Sequence, residues 1–354
     1  MGRSEHLVIM AGGIGSRFWP MSTLERPKQF ADILGCGQTL IQLTFNRFRD
    51  IVPPENVWVV TSARYAAIVR EQLPEVLPQH ILEEPCRRNT APCIAYVSWR
   101  IKAIDPKACI VVSPSDHIVM DVAEFQRVVS SALGFVEETD AIVTLGMKPT
   151  RPETGYGYIQ ADLAYASVRN KEIYRVDAFH EKPDIETAGR YISQSNFFWN
   201  AGIFVWKVST IVNALRVYQP ALSQVFEGLL PLYGTPQEQE AINKVYPECE
   251  NISVDYAILE KAEEIFVFPA DFGWSDLGTW GSLHSNSRHD VYGNSCIGSD
   301  ISVYETSNCM IHTTQTRRTV VQGLDGFIVA ERDGMLLICK LDEEQRIKQF
   351  GEGG

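Results

Sequence analysis

The sequence predicts an α/β fold: a mixed, mainly parallel sheet flanked by helices, with a small β-rich domain at the C-terminal end. Three observations carry this expectation. Short, almost wholly apolar runs read as strands buried on both faces: Leu7-Val8-Ile9-Met10, Val57-Trp58-Val59-Val60, Cys109-Ile110-Val111-Val112 and Ala141-Ile142-Val143-Thr144-Leu145. Segments with helical spacing separate them. After about Asn286 the texture turns to short β-rich runs broken by Gly, Asn, Ser and Asp.

In chain order, the first strand leads into a glycine turn. A helix follows Gly35-Cys36-Gly37, with Ile41, Phe45 and Phe48 at i, i+4 and i+7. Val57–Val60 is the second strand. Ala63 to Leu73 reads as a helix stopped by Pro74. Ile81-Leu82 runs as a short strand into Glu83-Glu84-Pro85, and Asn89-Thr90 caps a helix carrying Ala91, Ile94 and Ala95. Cys109–Val112 opens into Ser113-Pro114-Ser115-Asp116-His117, and the next helix carries Phe125, Val128, Val129 and Leu133. This is a Rossmann-like pattern, in which ligands gather beyond the carboxyl ends of the strands.

From Thr150 the pattern changes. Gly155-Tyr156-Gly157-Tyr158-Ile159, Tyr174–Phe179 and the aromatic run Phe197–Trp206 read as an antiparallel or mixed addition to the sheet. Helices are expected near 208–217 and 254–262, and a strand at Ile265–Phe268. Asp333-Gly334 between Phe327–Ala330 and Met335–Ile338 predicts a hairpin. The expected division is a catalytic domain over 1–285 and a small β-rich domain over 286–354.

The 354 residues fit about two domains at roughly 150 residues each. No run of about 18 apolar residues predicts a membrane span. The short lead of Met1 to His6 leaves no room for a signal peptide, so a cytoplasmic protein is expected. The net charge of −12 argues against a nucleic-acid or anionic-membrane surface, so an anionic ligand needs a local basic pocket. The eight cysteines form no C-x-x-C and read as scattered reduced thiols, and the seven histidines show no zinc spacing.

The stretch with most chemistry is Met10-Ala11-Gly12-Gly13-Ile14-Gly15-Ser16-Arg17, running on to Arg26-Pro27-Lys28. Three glycines in four positions suit a turn whose N–H groups cradle an anion, with Arg17 and Lys28 as nearby cations. It is not a P-loop, since no Lys-Ser or Lys-Thr follows, and it lacks the third glycine of a dinucleotide fingerprint. The glycines alone equally permit an ordinary strand-to-helix turn. Asp116 and Asp276 each follow a strand and a short turn. Alone, each reads as a turn cap; together they suit one Mg²⁺, which takes one or two carboxylates plus phosphate oxygens and water. Lys182, before Pro183, is expected in an extended or turn conformation, either as a point charge for a second phosphate or as a solvated surface lysine. Asn200, polar inside the aromatic run, suits sugar hydroxyls or a structural bond to backbone.

Read in order, Ala11–Pro20 with Arg26–Phe30, Glu84-Pro85 with Arg88–Pro92, Ser113–His117, Gly155–Ile159, Glu181-Lys182-Pro183, Phe198–Gly202 and Gly273–Thr279 resemble the nucleoside-diphosphate-sugar pyrophosphorylases, and within them the branch that makes GDP-mannose. The match spans residues 7 to about 283 and weakens after 286. The resemblance implies the nucleotidyltransferase fold and the reaction of GTP with mannose 1-phosphate to GDP-mannose and pyrophosphate. It assigns Arg17 and Lys28 to the triphosphate and Asp116 and Asp276 to Mg²⁺. Lys182 is assigned to the sugar phosphate, with Glu181 and Asn200 near the sugar. The nucleotide site would take in Ala11, Gly12, Gly13, Gly15, Glu84, Asn89, Thr90 and Ser115, and the sugar-phosphate site Gly157 and Asp276. It also implies a β-helix-like C-terminal domain that aids a homodimer. Longer relatives append an isomerase domain; the chain ends at Gly354, so no isomerase activity is expected. Two other readings remain: the same chemistry with another nucleotide or sugar, and a catalytically silent regulatory subunit.

Overall fold

Parallel pairing at the N-terminal end sets the frame. The computed structural model describes residues 4–13, 16–314 and 318–351. The strands up to residue 270 are β1 (Glu5–Met10), β2 (Val57–Ser62), β3 (Ile81–Glu84), β4 (Cys109–Pro114), β5 (Ile118–Val119), β6 (Ile142–Met147), β7 (Tyr158–Ala166), β8 (Tyr174–His180), β9 (Phe197–Lys207) and β10 (Ile265–Ala270). Among the described residues nine of them form one sheet in the order β3-β2-β1-β4-β9-β6-β10-β8-β7. β3, β2, β1 and β4 pair in parallel, as do β6 and β10. β9 enters antiparallel between β4 and β6, and β7 and β8 add an antiparallel pair beyond β10. The sheet is thus mixed and mainly parallel.

Each apolar run expected as a strand is one, and the reason is burial. Leu7, Val8, Ile9, Val59, Val60, Ile110 and Val111 are fully enclosed. The helix Thr90–Ile104 buries Ala91, Ile94, Tyr96, Val97 and Trp99 against Trp58, Ile110 and Phe204. The helix Val122–Glu137 is capped by Asp121, whose side chain accepts from the Glu124 N–H. The helix expected over 254–262 is instead a single π turn, Asp255–Leu259, closed by Glu260 N–H on the Asp255 carbonyl.

Packing groups the chain differently from a single division at residue 286. One compact unit comprises Met1–Gly12, Phe45–Pro114 and Val119–Trp274; the other comprises Gly13–Thr44, Ser115–Ile118 and Ser275–Gly354. The physical reason is a shared core. Phe18, Met21, Ile33 and Leu40 bury with Trp280, Met310, Ile328 and Ala330.

β11 (Trp274–Ser275) spans the boundary between the two stretches, and the second unit then carries β12 (Ser295–Ile297), β13 (Ile301–Tyr304), β14 (Met310–His312), β15 (Thr319–Gln322), β16 (Phe327–Arg332) and β17 (Met335–Lys340). Successive passes of the chain stack in parallel, β12 on β14 on β16 and β13 on β15, around Cys309, Ile311, Val321 and Val329. That is the arrangement of a short β-helix. The Asp333-Gly334 hairpin forms as expected: β16 and β17 pair antiparallel, and both turn residues have positive φ, 50° and 81°.

Candidate active site

The glycine loop, the Glu84 segment and the Asp116 segment leave one edge of the first unit's sheet. Met10 pairs with both Val60 and Pro114, and Ser62 with Glu84, so β1 to β4 end level. β9 runs the other way and sets Asn200 opposite Gly146, near the end of β6.

Two groups of predicted residues assemble in the first unit. Glu84 is buried at the end of β3, where the Tyr246 hydroxyl donates to its Oε1. Burial pushes its carboxyl up to about 7, against the opposing Tyr246 hydrogen bond. A Cβ on Gly12 would come within 3.3 Å of Glu84 Oε2, so the backbone passes close to this carboxyl. Ala11 donates its N–H to Val60 O at 2.8 Å, so that donor belongs to the sheet and not to a ligand. Asn89, at φ 64°, accepts the Thr90 N–H on its own side chain, and the Thr90 hydroxyl accepts from Val254 N–H. Both residues therefore hold the chain at the start of the helix Thr90–Ile104.

The other group is Gly157, Glu181, Lys182 and Asn200. Asn200 N–H donates to Gly157 O at 2.8 Å. The Asn200 amide oxygen accepts from the Thr144 hydroxyl and Gly202 N–H, and its Nδ2 donates to Asp255 at 2.8 Å. It is thus a fixed amide with structural partners and a carboxylate neighbour. Lys182 sits at φ 46°, a turn and not an extended conformation, with its ammonium 2.8 Å from Glu181 Oε1. A non-glycine residue there is strained, and such strain gathers at functional sites. The lysine side chain remains 62% exposed.

Asp255 was not singled out in the sequence. It lies on the π turn, and burial together with the Glu181 charge pushes its carboxyl up to about 6. In the sequence its only signal is an acid at the head of an apolar helix-like run, which ordinarily reads as a cap.

The second unit holds the cationic loop. Gly13 accepts from Gln29 Nε2, and Arg17 is exposed. Gly15 lies outside the described residues. Lys28 is only 4% exposed. Its ammonium donates to the carbonyls of Asp276 and Leu277 at 2.8 and 2.9 Å and pairs with Asp116 Oδ2 at 3.0 Å. Those three partners match its three donors. Burial pushes the Asp116 carboxyl up, but Lys28 and His117 outweigh it and hold it below the ordinary carboxylate range. Ser115, also buried, accepts the Thr44 hydroxyl on its carbonyl. Asp276 accepts the Gly278 N–H on Oδ1, next to Leu277 at φ 46°.

Comparison with known proteins fits this geometry. A family model described as nucleotidyl transferase matches residues 6–291. The chain belongs to the nucleotidyl transferase family. A relative from Escherichia coli K12, mannose-1-phosphate guanylyltransferase, is 33% identical over 350 residues, covering 98% of this chain and 72% of the relative. The alginate biosynthesis protein AlgA of Pseudomonas fluorescens is 34% identical over 350 residues, covering 97% of this chain and 70% of its own. A solved structure from Thermus thermophilus, described as a mannose-1-phosphate geranyltransferase, superimposes with a TM-score of 0.88 at 29% identity, covering 99% of this chain and 98% of that one.

In a nucleotidyl transferase these residues divide by chemistry. Asp116 and Asp276 offer hard oxygen donors, which suits a cation such as Mg²⁺. No group of three or more His, Cys, Asp or Glu side chains gathers as a metal cage among the described residues. A metal held by these two carboxylates therefore needs oxygens from substrate phosphate and water.

Proposed function

We propose that the chain transfers GMP from GTP to mannose 1-phosphate, releasing pyrophosphate and forming GDP-mannose. The observation that carries this reading is the triple engagement of Lys28 with Asp116 and with the 276–277 turn. It draws three motif segments, far apart in sequence, onto one ammonium. The names of the relatives support the choice of guanine nucleotide and mannose.

A phosphate oxygen of mannose 1-phosphate attacks the α-phosphorus of GTP in line. A P–O bond forms there, and the bond from the α-phosphorus to the bridging oxygen breaks. Pyrophosphate leaves with that electron pair. The attacking phosphate is already ionised, so no protein nucleophile is needed. The protein offsets repulsion between two anions and positions them. Arg17 serves the triphosphate, Lys28 supplies charge and holds Asp116 and the 276–277 turn in place, Gly12 and Gly13 allow close backbone approach, and Lys182, oriented by Glu181, serves the sugar phosphate. Asn200, braced by Asp255, faces the sugar. Mg²⁺, when held by Asp116 and Asp276, neutralises phosphate charge and stabilises the leaving pyrophosphate.

The same proposal places the protein in the cytoplasm as a homodimer. All eight cysteines are free thiols, as suits a reducing compartment. No helix among the described residues is long and apolar enough to cross a membrane. Leu336 and Ile338 are exposed on β17, and such side chains suit association with a second copy.

Pyrophosphate release, measured across nucleoside triphosphates and sugar 1-phosphates with and without Mg²⁺, tests the reading. GTP with mannose 1-phosphate and Mg²⁺ is the expected best pair. Another best pair would redirect the specificity. Silence across the whole panel would favour a regulatory subunit, against which the presence of Arg17, Lys28, Asp116 and Asp276 argues.

A further inference from the structure

The connection between β6 and β7, residues 148–157, runs without helix or strand, yet it has to hold Gly157 in place. Gly155 and Gly157 leave its backbone little restricted. Fixing each residue of such a segment costs about 1–2 kcal/mol in entropy, so an ordered turn needs ties. Gly157 is tied by its carbonyl, which accepts the Asn200 N–H at 2.8 Å. Tyr156 is tied by packing, its ring meeting Trp199 and Trp274 edge-on with centroids 5.2 Å away in each case.

Gly155 is tied by Glu153. The Gly155 N–H donates to Glu153 Oε1 at 3.0 Å, and a Cβ on Gly155 would lie 3.2 Å from the same oxygen. Glu153 Oε2 accepts from Arg151 Nε and Nη2 at 3.2 and 3.0 Å, and the Arg151 guanidinium lies 5.3 Å over the Trp199 ring. The backbone of Glu153 is engaged as well. Its N–H donates to the Tyr158 hydroxyl, and that hydroxyl donates to the Glu153 carbonyl, both at 3.0 Å. Tyr158 is fully buried at the first position of β7. Both carboxylate oxygens and both backbone groups of Glu153 are thus committed to its own loop and the strand that follows.

The loop ends where the sugar-phosphate group begins. A Cβ on Gly157 would lie 2.5 Å from Glu181 Oε2, and Glu181 holds the Lys182 ammonium at 2.8 Å. A displacement of Gly157 on the order of 1 Å would open its bond to Asn200 and remove the surface against which Glu181 rests, a misplacement large enough to be felt in function.

We propose that Glu153 is a positioning residue for the sugar phosphate: through Gly155 and Tyr158 it sets Gly157 against Glu181 and Asn200. Glu153 acts through these neighbours and contacts no reacting atom. The inference rests on the sugar-phosphate site given under the proposed function.

Initial rates of pyrophosphate release test it, with the sugar 1-phosphate and the nucleotide of the best wild-type pair varied in turn. Glu153→Ala should raise KM for the sugar 1-phosphate about tenfold, the equivalent of one hydrogen bond, and leave KM for the nucleotide within about twofold. Glu153→Gln keeps an oxygen for the Gly155 N–H and should return the sugar constant to within about threefold of wild type. Arg151→Met, which leaves Glu153 Oε1 on Gly155, should also stay within about threefold. Tyr158→Phe removes only a hydroxyl, should raise the same sugar constant, and carries the test if Glu153→Ala fails to fold. An unchanged sugar constant in Glu153→Ala, or in Tyr158→Phe where that variant carries the test, would overturn the proposal. So would both KM values rising together, the mark of a purely structural role, or no rescue by Glu153→Gln. The wild type separates this failure from that of the parent reading: no turnover with any pair sinks the site and this role with it, whereas wild-type turnover with an unmoved sugar constant in the variant sinks the positioning role alone.

Discussion

Lys28 and Asp116 form an ion pair 3.0 Å long on the turn that carries Asp276, and the lysine side chain is 5% exposed. Lys28 therefore organises this corner as well as supplying charge. Lys28→Met should slow turnover about 10²-fold, the scale of losing one preorganised electrostatic donor. It should also cost about 2 kcal/mol of stability, because Asp116 and two carbonyls lose a charged donor. Steady-state kinetics and urea unfolding of the same variant separate the two effects. Near-wild-type turnover would remove Lys28 from the mechanism.

Asp276 binds its own turn through Gly278 N–H and faces the proposed metal role with Asp116. Asp276→Ala should raise the Mg²⁺ concentration needed for half-maximal rate by about tenfold or more. A Mg²⁺ titration of pyrophosphate release reads this directly. An unchanged metal requirement would take Asp276 out of the ligand set.

Glu84 gives a pH signature. Its carboxyl is raised from the ordinary 4.5 to about 7, so the folded state holds a proton that the unfolded chain releases. That contribution to stability is fully present below pH 4.5 and is lost as pH rises through about 7. Urea midpoints at pH 5 and pH 8 should therefore fall more steeply for the wild type than for Glu84→Gln. Parallel pH profiles would mean that Glu84 ionises in the fold as freely as in the unfolded chain.

Much of the first unit was legible because burial on both faces writes a strand as a plain apolar run. Val8, Val59 and Val111 needed no partner to be recognised. The Asp333-Gly334 turn was legible because positive φ at both positions restricts the residues allowed. What stayed hidden depends on distant contacts. Nothing local to Phe204 says that β9 enters between β4 and β6 and reverses direction there. Nothing in Phe18 or Ile33 names Trp280 and Met310 as their neighbours, so the discontinuous second unit could not be drawn from composition. At the site, the residue types were legible but not their commitments. Lys28 looked like a free phosphate cation and is instead saturated by three oxygens. Asp255 was not singled out at all and is the acceptor that fixes Asn200.

Gly157 allows a sharper test of the sugar-phosphate side. A Cβ there would lie 2.5 Å from Glu181 Oε2 and 3.6 Å from Asn200 Cβ. The clash falls on the far end of a flexible side chain, so Gly157→Ala should fold with little loss of stability. Glu181 must swing away, and it is the carboxylate that holds the Lys182 ammonium at 2.8 Å. KM for the sugar phosphate should rise about tenfold, while KM for the nucleotide stays within about twofold. Asp255→Leu, which deprives Asn200 Nδ2 of its acceptor, should shift the same constant in the same direction. Because Glu181 and Asp255 share this pocket, the double variant should show less than the product of the two effects. A rise confined to the nucleotide constant would place Gly157 and Asp255 outside the sugar site.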